Sequence, residues 1–341
     1  MKTFDLNEIR KRVGRIEQLF GTTRITYAEG KAKGLEAIEV RNADGLRYMV
    51  LPDRGMDIGM AEFKGVPFVH ISPVGMVAPA FFDARGDEWL RSFTAGLLTT
   101  CGLDQVGDPC ECNGSSYPLH GRIANTPAEK VSVSQGEVDG KYRMCVSGEI
   151  RQAKESIQNL VMRRSITTYA DENSIHIRDC ITNESFVPSP FMLLYHMNFG
   201  YPFLDEDLRL EIPHSSISSM YEGREVAMEH ALEAELPQAG YSENVFFLEI
   251  TPDAEGRGQI LAYHKENKSF AIRITFPADV LHRVAIWKQM GCQDYVMAVE
   301  PCNNWVGGQQ KETENGSLQI LQPGQTKEID LKIEIVEEPH I

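Results

Sequence analysis

Along most of this chain the apolar side chains recur at every second position, and only near the N-terminus do they recur at every third or fourth. Ile9, Val13, Ile16 and Phe20 follow helical spacing, Asp5 with Glu8 three residues on has the form of a capping box, and Gly21 is a stop signal. A helix is therefore predicted within the first 21 residues. After Gly21 the period falls to two. Ile38 and Val40 alternate with charged residues, Asp44-Gly45 marks a hairpin turn, and 47–51 resumes the extended pattern. Further strands are predicted at 131–133, 142–150, 164–169, 175–181, 208–212, 246–250, 259–263 and 270–276, and the alternation is strictest at Ile329, Leu331, Ile333 and Ile335. Turn clusters such as Asp171-Glu172-Asn173, Asp253-Ala254-Glu255-Gly256 and Pro323-Gly324 separate them. Short helices fit 78–93 and 226–236.

About a dozen short strands without long helices between them predict an all-β fold, a large antiparallel β-sandwich carrying a short N-terminal helix. No fixed-period repeat or Pro/Ser-rich linker divides the chain, so 1–341 is expected to form a single domain with 1–21 as a helical extension. The 42% hydrophobic and 24% charged residues are ordinary globular values. A formal charge of −15, from 34 basic and 49 acidic side chains, argues against a nucleic-acid partner, which demands surplus Lys and Arg. No window approaches the ~18 uninterrupted apolar residues of a membrane helix, and Met1–Arg15 lacks the apolar core of a secretory signal. A cytoplasmic protein with no membrane partner is the expectation. The seven cysteines are an odd, scattered set, consistent with reduced thiols, and Cys110-Glu111-Cys112 lacks the second pair that a zinc site requires.

Chemistry is sought where polar side chains sit in apolar, Gly-rich loops. Three stretches qualify: 117–122 around His120, 194–202 around His196, and 298–305 around Glu300. In each, desolvation would move a titratable group toward a pKa useful for proton transfer. A lone His among apolar residues is more often a hydrogen-bonded core residue than a catalyst, whereas a carboxylate entering from 296–299 is costly to bury without a partner or a task.

Taken in order, His120-Gly121, His196 with Asn198 and Phe199, and Glu300 in Val299-Glu300-Pro301 resemble the aldose 1-epimerase (galactose mutarotase-like) superfamily, and more closely its less characterised aldose 1-epimerase-like branch. The segment Leu321-Gln322-Pro323-Gly324-Gln325 resembles that family's closing hairpin, and the resemblance spans roughly 35–336. It implies a large antiparallel β-sandwich with Glu300 as general base, His196 as general acid and His120 as a sugar ligand. The activity implied is interconversion of the α and β anomers of a monosaccharide or simple derivative, with no cofactor. The better-known mutarotases carry an Asn-Arg pair ahead of the first His, and here Arg54 stands much further upstream, in 51–59.

Arg54 therefore either grips sugar hydroxyls or pairs with Asp53 or Asp57, and Arg122 either grips hydroxyls or an acidic group or is a solvated loop charge. Residues 96–108 are candidates to line the pocket. Trp287 and Asn304 offer the aromatic face and amide that suit a carbohydrate, although a buried core Trp is the commoner case. Two alternatives stand beside the epimerase: a metal-dependent isomerase using His120, His196 and Glu300, and a non-catalytic sugar binder. The sequence leaves the sugar unidentified and is compatible with a homo-oligomer.

Overall fold

In a computed structural model, which describes residues 4–112, 114–223, 225–266 and 269–337, 22 strands form three large antiparallel sheets and one small hairpin. The eight-stranded sheet runs in the order Leu208–Glu211, Arg257–His264, Phe270–Pro277, Thr326–Glu337, Ser174–Asn183, Gln158–Tyr169, Lys141–Lys154, Ala128–Val138. Its strands carry the strict alternation. Thr326–Glu337 buries Ile329, Leu331, Ile333 and Ile335 while Glu328 and Asp330 stay exposed, because one face packs on the core and the other meets water. The five-stranded sheet is a meander from Gly21–Thr26 to Val66–Pro67. One hydrophobic core, from Ile9 to Ile335, is built from all three sheets. This is the large antiparallel β-sandwich that the sequence predicts.

The seven-stranded sheet positions the site. Its central strand Ser189–Gly200 pairs with Tyr295–Cys302 on one edge, and with Thr99–Leu103 and Gln319–Leu321 on the other. Both faces of this strand are covered. Phe191, Leu193, Tyr195, Met197 and Phe199 enter the main core, while Met192 and Leu194 enter a second cluster with Trp89, Phe93, Phe247 and Val306. Period two places His196 on that second face.

Three expectations need correction. The stretches 194–202 and 298–305, read as loops, are largely strand, because a strand buried on both faces is apolar throughout and loses the alternation that reveals it. The N-terminal helix covers only Leu6–Arg10: the Asp5 carboxylate accepts from the Asn7 and Glu8 amides as the capping box predicts, but the chain unwinds before Gly14. A 3₁₀ turn at Ile16–Gln18 follows, and Val13 and Ile16 still pack on the core. Finally, Gly308–Asn315 is a helix that nothing in the pattern announced, being a polar run that ends at Gly316 in the left-handed region. The regions 78–93 and 226–236 hold 3₁₀ turns at Pro79–Phe81, Glu88–Ser92 and Glu225–His230.

A buried ionic network ties the three sheets together behind the central strand. Arg164 donates to Asp179 at 2.8 and 2.7 Å and to Asp57 at 3.1 Å; the Tyr195 hydroxyl donates to Asp179 at 2.6 Å, and the Thr100 hydroxyl donates to Asp57 at 2.6 Å. All seven cysteines are free. No helix among the described residues is long and apolar enough to cross a membrane.

Candidate active site

The register that pairs Leu194 with Cys302 and Met197 with Val299 sets His196 opposite Glu300 on neighbouring strands, both on the face of the second cluster. Their side chains touch, His196 Nε2 lying 3.1 Å from Glu300 Oε1, and the residues are only 4% and 2% exposed. On the next strand, Trp287 of Arg283–Met290 stands opposite Ala298 and brings its ring within 5.5 Å of the His196 ring. Loops supply the rest. Trp89 and Phe93, stacked at 4.8 Å, come from the Glu88–Ser92 turn and its end, and Phe93 lies 5.2 Å from His196. His120 is delivered by a sharp bend in which His120 (φ 55°) and Gly121 (φ 75°) are both left-handed. A Cβ on Gly121 would fall 2.3 Å from the Gly102 carbonyl oxygen, so only glycine fits there. The His120 ring sits 5.8 Å from His196 and 4.9 Å from Trp89.

These side chains line one cavity of about 180 Å³. That is below the ~300 Å³ at which pockets for drug-sized ligands begin, so a single sugar ring is the appropriate scale. Aromatic rings on several sides suit the C–H faces of a sugar.

Burial dominates the electrostatics. It pushes the Glu300 carboxyl well above the usual carboxylate range, with a further push from Glu243, and the His196 imidazole well below its usual value, helped by neighbouring His120. Both shifts favour neutral forms, so the pair holds one labile proton between its members. Burial lowers His120 to about 4, which keeps it neutral. The Gly107 amide donates to His120 Nδ1 at 3.3 Å, which assigns the ring proton to Nε2 and makes that atom a donor. Among the described residues, His196 Nδ1, Glu300 Oε1 and Trp89 Nε1 are buried without a hydrogen-bond partner. The 3.1 Å contact is thus close without being an aligned hydrogen bond. Buried polar atoms are ordinarily satisfied, and three orphans around one cavity mark places a ligand would fill.

Of the residues singled out in the sequence, the cavity gathers Glu300, His196, His120 and Trp287. It does not gather the other four. Arg54 is buried and donates to the Val77 carbonyl at 2.9 Å and the Ser92 carbonyl at 2.8 Å, so it braces the turn that carries Trp89 and Phe93. Arg122 donates to the Ser116 carbonyl and lines a separate groove with Gln152 and Gln158. Asn198 donates to the Gly96 and His196 carbonyls, and Asn304 to the Leu193 carbonyl and the Asn303 side chain, both as backbone braces. Nor do the imidazole and carboxylate face each other across the cavity; they stand side by side on adjacent strands. Gly107 and Asp108 bring the end of the 96–108 segment to the lining, whereas sequence reasoning missed Trp89, Phe93, Tyr221 and Glu243, which also line the cavity. The aromatics of 89–93 were the available signal; Tyr221 and Glu243 lie in irregular segments with none. Among the described residues no group of three or more His, Cys, Asp or Glu side chains is arranged to hold a metal, and Cys110–Cys112 is instead one arm of a hairpin with Ser115–Tyr117.

The family model described as a domain of unknown function, DUF4432, matches residues 32–335. The chain belongs to this family. No curated protein matches it. Among solved structures, this DUF4432 member resembles a protein of Klebsiella pneumoniae provisionally assigned as an aldose 1-epimerase, at 26% identity and TM-score 0.87, over 92% of this chain and 83% of that one. A galactose mutarotase-like protein from Clostridium acetobutylicum superimposes at TM-score 0.65 with 13% identity, over 94% and 99% of the two chains. The galactose 1-epimerase of Lactobacillus acidophilus gives TM-score 0.57 at 13% identity, over 94% and 100%. At such identities the latter two share the fold alone. The structure neighbours of the DUF4432 member are thus aldose 1-epimerase and galactose mutarotase-like proteins, whose fold it shares.

Proposed function

We propose that this DUF4432 member is an aldose 1-epimerase, catalysing anomer exchange of a reducing monosaccharide by general acid–base ring opening. The observation that carries this reading is the touching Glu300–His196 pair, buried in an aromatic cavity of sugar-ring size. Anomer exchange requires a proton to leave the C1 hydroxyl while another reaches the ring oxygen O5. Glu300 takes the proton from O1, the O1 electrons form the C1=O1 carbonyl, the C1–O5 bond breaks, and His196 delivers a proton to O5. The opened sugar then rotates about C1–C2 and recloses with the transfers reversed. Protons balance, because the pair begins and ends the cycle holding one.

Burial supports the direction of the first step. It turns a carboxylate and an imidazolium into a neutral carboxyl and a neutral imidazole, the forms that desolvation favours. At 3.1 Å the two groups need only a small reorientation to align for proton transfer, by which the pair regains its charge-separated form. His120 Nε2–H is the donor available to a sugar hydroxyl, and Trp89, Phe93 and Trp287 offer ring faces.

The test follows freshly dissolved sugars by polarimetry or saturation-transfer NMR, with protein treated with chelator and then exchanged into buffer. Exchange faster than the spontaneous rate supports the proposal. Binding at the spontaneous rate identifies a non-catalytic binder, and activity lost on chelation and restored by metal identifies the metal-dependent isomerase.

A further inference from the structure

Two indoles line the cavity, and their N–H groups differ. The Trp287 N–H donates to Glu243 at 2.8 Å. The Trp89 Nε1–H has no hydrogen-bond partner among the described residues, although Trp89 is only 1% exposed. A buried indole ordinarily finds an acceptor, and an unmet donor costs stability. The Trp89 ring is held too firmly to turn toward one. It stacks on Phe93 at 4.8 Å and tilts against His120 at 4.9 Å. Its backbone is fixed as well, since the Ser92 hydroxyl donates to the Trp89 carbonyl at 2.9 Å and buried Arg54 donates to the Ser92 carbonyl. Its place along the cavity is also defined. Phe93 and His120 each stand beside both Trp89 and His196, so they separate the indole from the Glu300–His196 pair.

We infer that Trp89 is a specificity-determining residue whose indole N–H donates to a sugar hydroxyl at C3 or C4, across the ring from C1 and O5. This deepens the proposed function and rests on it: with C1 and O5 at the acid–base pair, the C3–C4 edge of the ring lies toward Trp89. The substrate class follows, an aldose that keeps a hydroxyl at that carbon. An analogue with hydrogen there leaves the donor buried and unmet, and a site built to bond a hydroxyl rejects the analogue lacking it for that reason.

The test reads the indole N–H resonances of the full chain by heteronuclear NMR. Three tryptophans give three signals, and that of Trp89 is the one retained in both Trp287→Phe and Trp305→Phe. The tightest binder among glucose, galactose and mannose, chosen by saturation-transfer NMR, is compared with its derivatives lacking the hydroxyl at C2, C3, C4 or C6. At saturation the intact sugar is expected to move the Trp89 signal downfield, as a new hydrogen bond does. The derivative lacking the C3 or the C4 hydroxyl should bind about tenfold more weakly and leave that signal in place. In Trp89→Phe, which keeps the stacking ring, the intact sugar and that derivative should bind within about twofold of each other. If Trp89→Phe does not fold, the resonance decides. A Trp89 signal that stays in place with the intact sugar, that moves equally with every derivative, or that depends on C2 or C6 instead overturns the assignment. If the signal reports C3 or C4 but polarimetry finds exchange only at the spontaneous rate, the donor stands and the enzymatic reading falls. Accelerated exchange with an indifferent Trp89 signal reverses that outcome, and failure of every sugar to bind overturns both.

Discussion

Replacing Asp179 by Asn should destabilise the protein far more than the same isosteric change at an exposed ion pair, because it removes one charge from a network that water does not reach. Asp179 and the Arg164 side chain are 0% exposed, and Asp179 accepts two hydrogen bonds from Arg164 and one from Tyr195. The asparagine amide would turn a donor toward a donor, leaving the guanidinium with Asp57 at 3.1 Å and the Gly55 carbonyl at 3.2 Å. Breaking a buried pair in this way costs about 3–5 kcal/mol, a large share of the ~5–15 kcal/mol that typically holds a fold together. Tyr195→Phe removes one hydrogen bond to a charged acceptor, worth about 1.5–3 kcal/mol. Glu328→Gln, which breaks an exposed pair with Arg178, is the control and should shift nothing measurable. Urea titrations read by circular dichroism and by tryptophan fluorescence give the order, provided the two probes coincide and the slope is unchanged. An Asp179→Asn loss below about 1 kcal/mol would refute the view that this network locks the central strand between the sheets.

Three further outcomes are expected. Activity should follow a bell-shaped pH profile: adding a second proton to the Glu300–His196 pair buries a positive charge and so occurs below the ordinary His value, while removing the one proton buries a negative charge and so occurs above the ordinary Glu value. A monotonic profile across that range would rule out the shared-proton pair. Trp287→Ala should raise KM about tenfold with a smaller change in kcat, as lost ring stacking predicts; a pure kcat effect measured by polarimetry would be incompatible with a binding role. Arg54→Met should lower the thermal midpoint by leaving the Val77 and Ser92 carbonyls without donors, whereas Arg122→Ala should leave both stability and KM near the parent values. Differential scanning fluorimetry and KM measurements check both.

The parts of the fold that one-sided strands build were legible from period two: Ile329 to Ile335 alternate because one face of Thr326–Glu337 meets water. The strands that carry the site were not, since Met192 to Phe199 are buried on both faces and, His196 and Asn198 apart, read as apolar throughout. His196 and Glu300 were nonetheless legible, because a titratable group inside such a run stands out for its desolvation cost. Their contact was invisible for lack of any register. Arg54 stayed open between sugar ligand and structural pairing for the same reason, its partners being carbonyls at 77 and 92 that no sequence rule places beside it. Glu243 escaped because its irregular segment reaches the cavity only through tertiary packing, fixed by Trp287 and Tyr221.

The shared-proton mechanism stands or falls on anomer exchange by Glu300→Gln and His196→Ala, each shown to fold by circular dichroism. The two residues share one proton in one cavity, so each variant should lose two or more orders of magnitude in turnover while sugar binding, read by saturation-transfer NMR, changes modestly. Losses in the double variant should be no larger than in either single one, because the pair acts as a unit. Turnover near the parent rate in either single variant would remove that residue from the chemistry and leave the touching pair without a catalytic role.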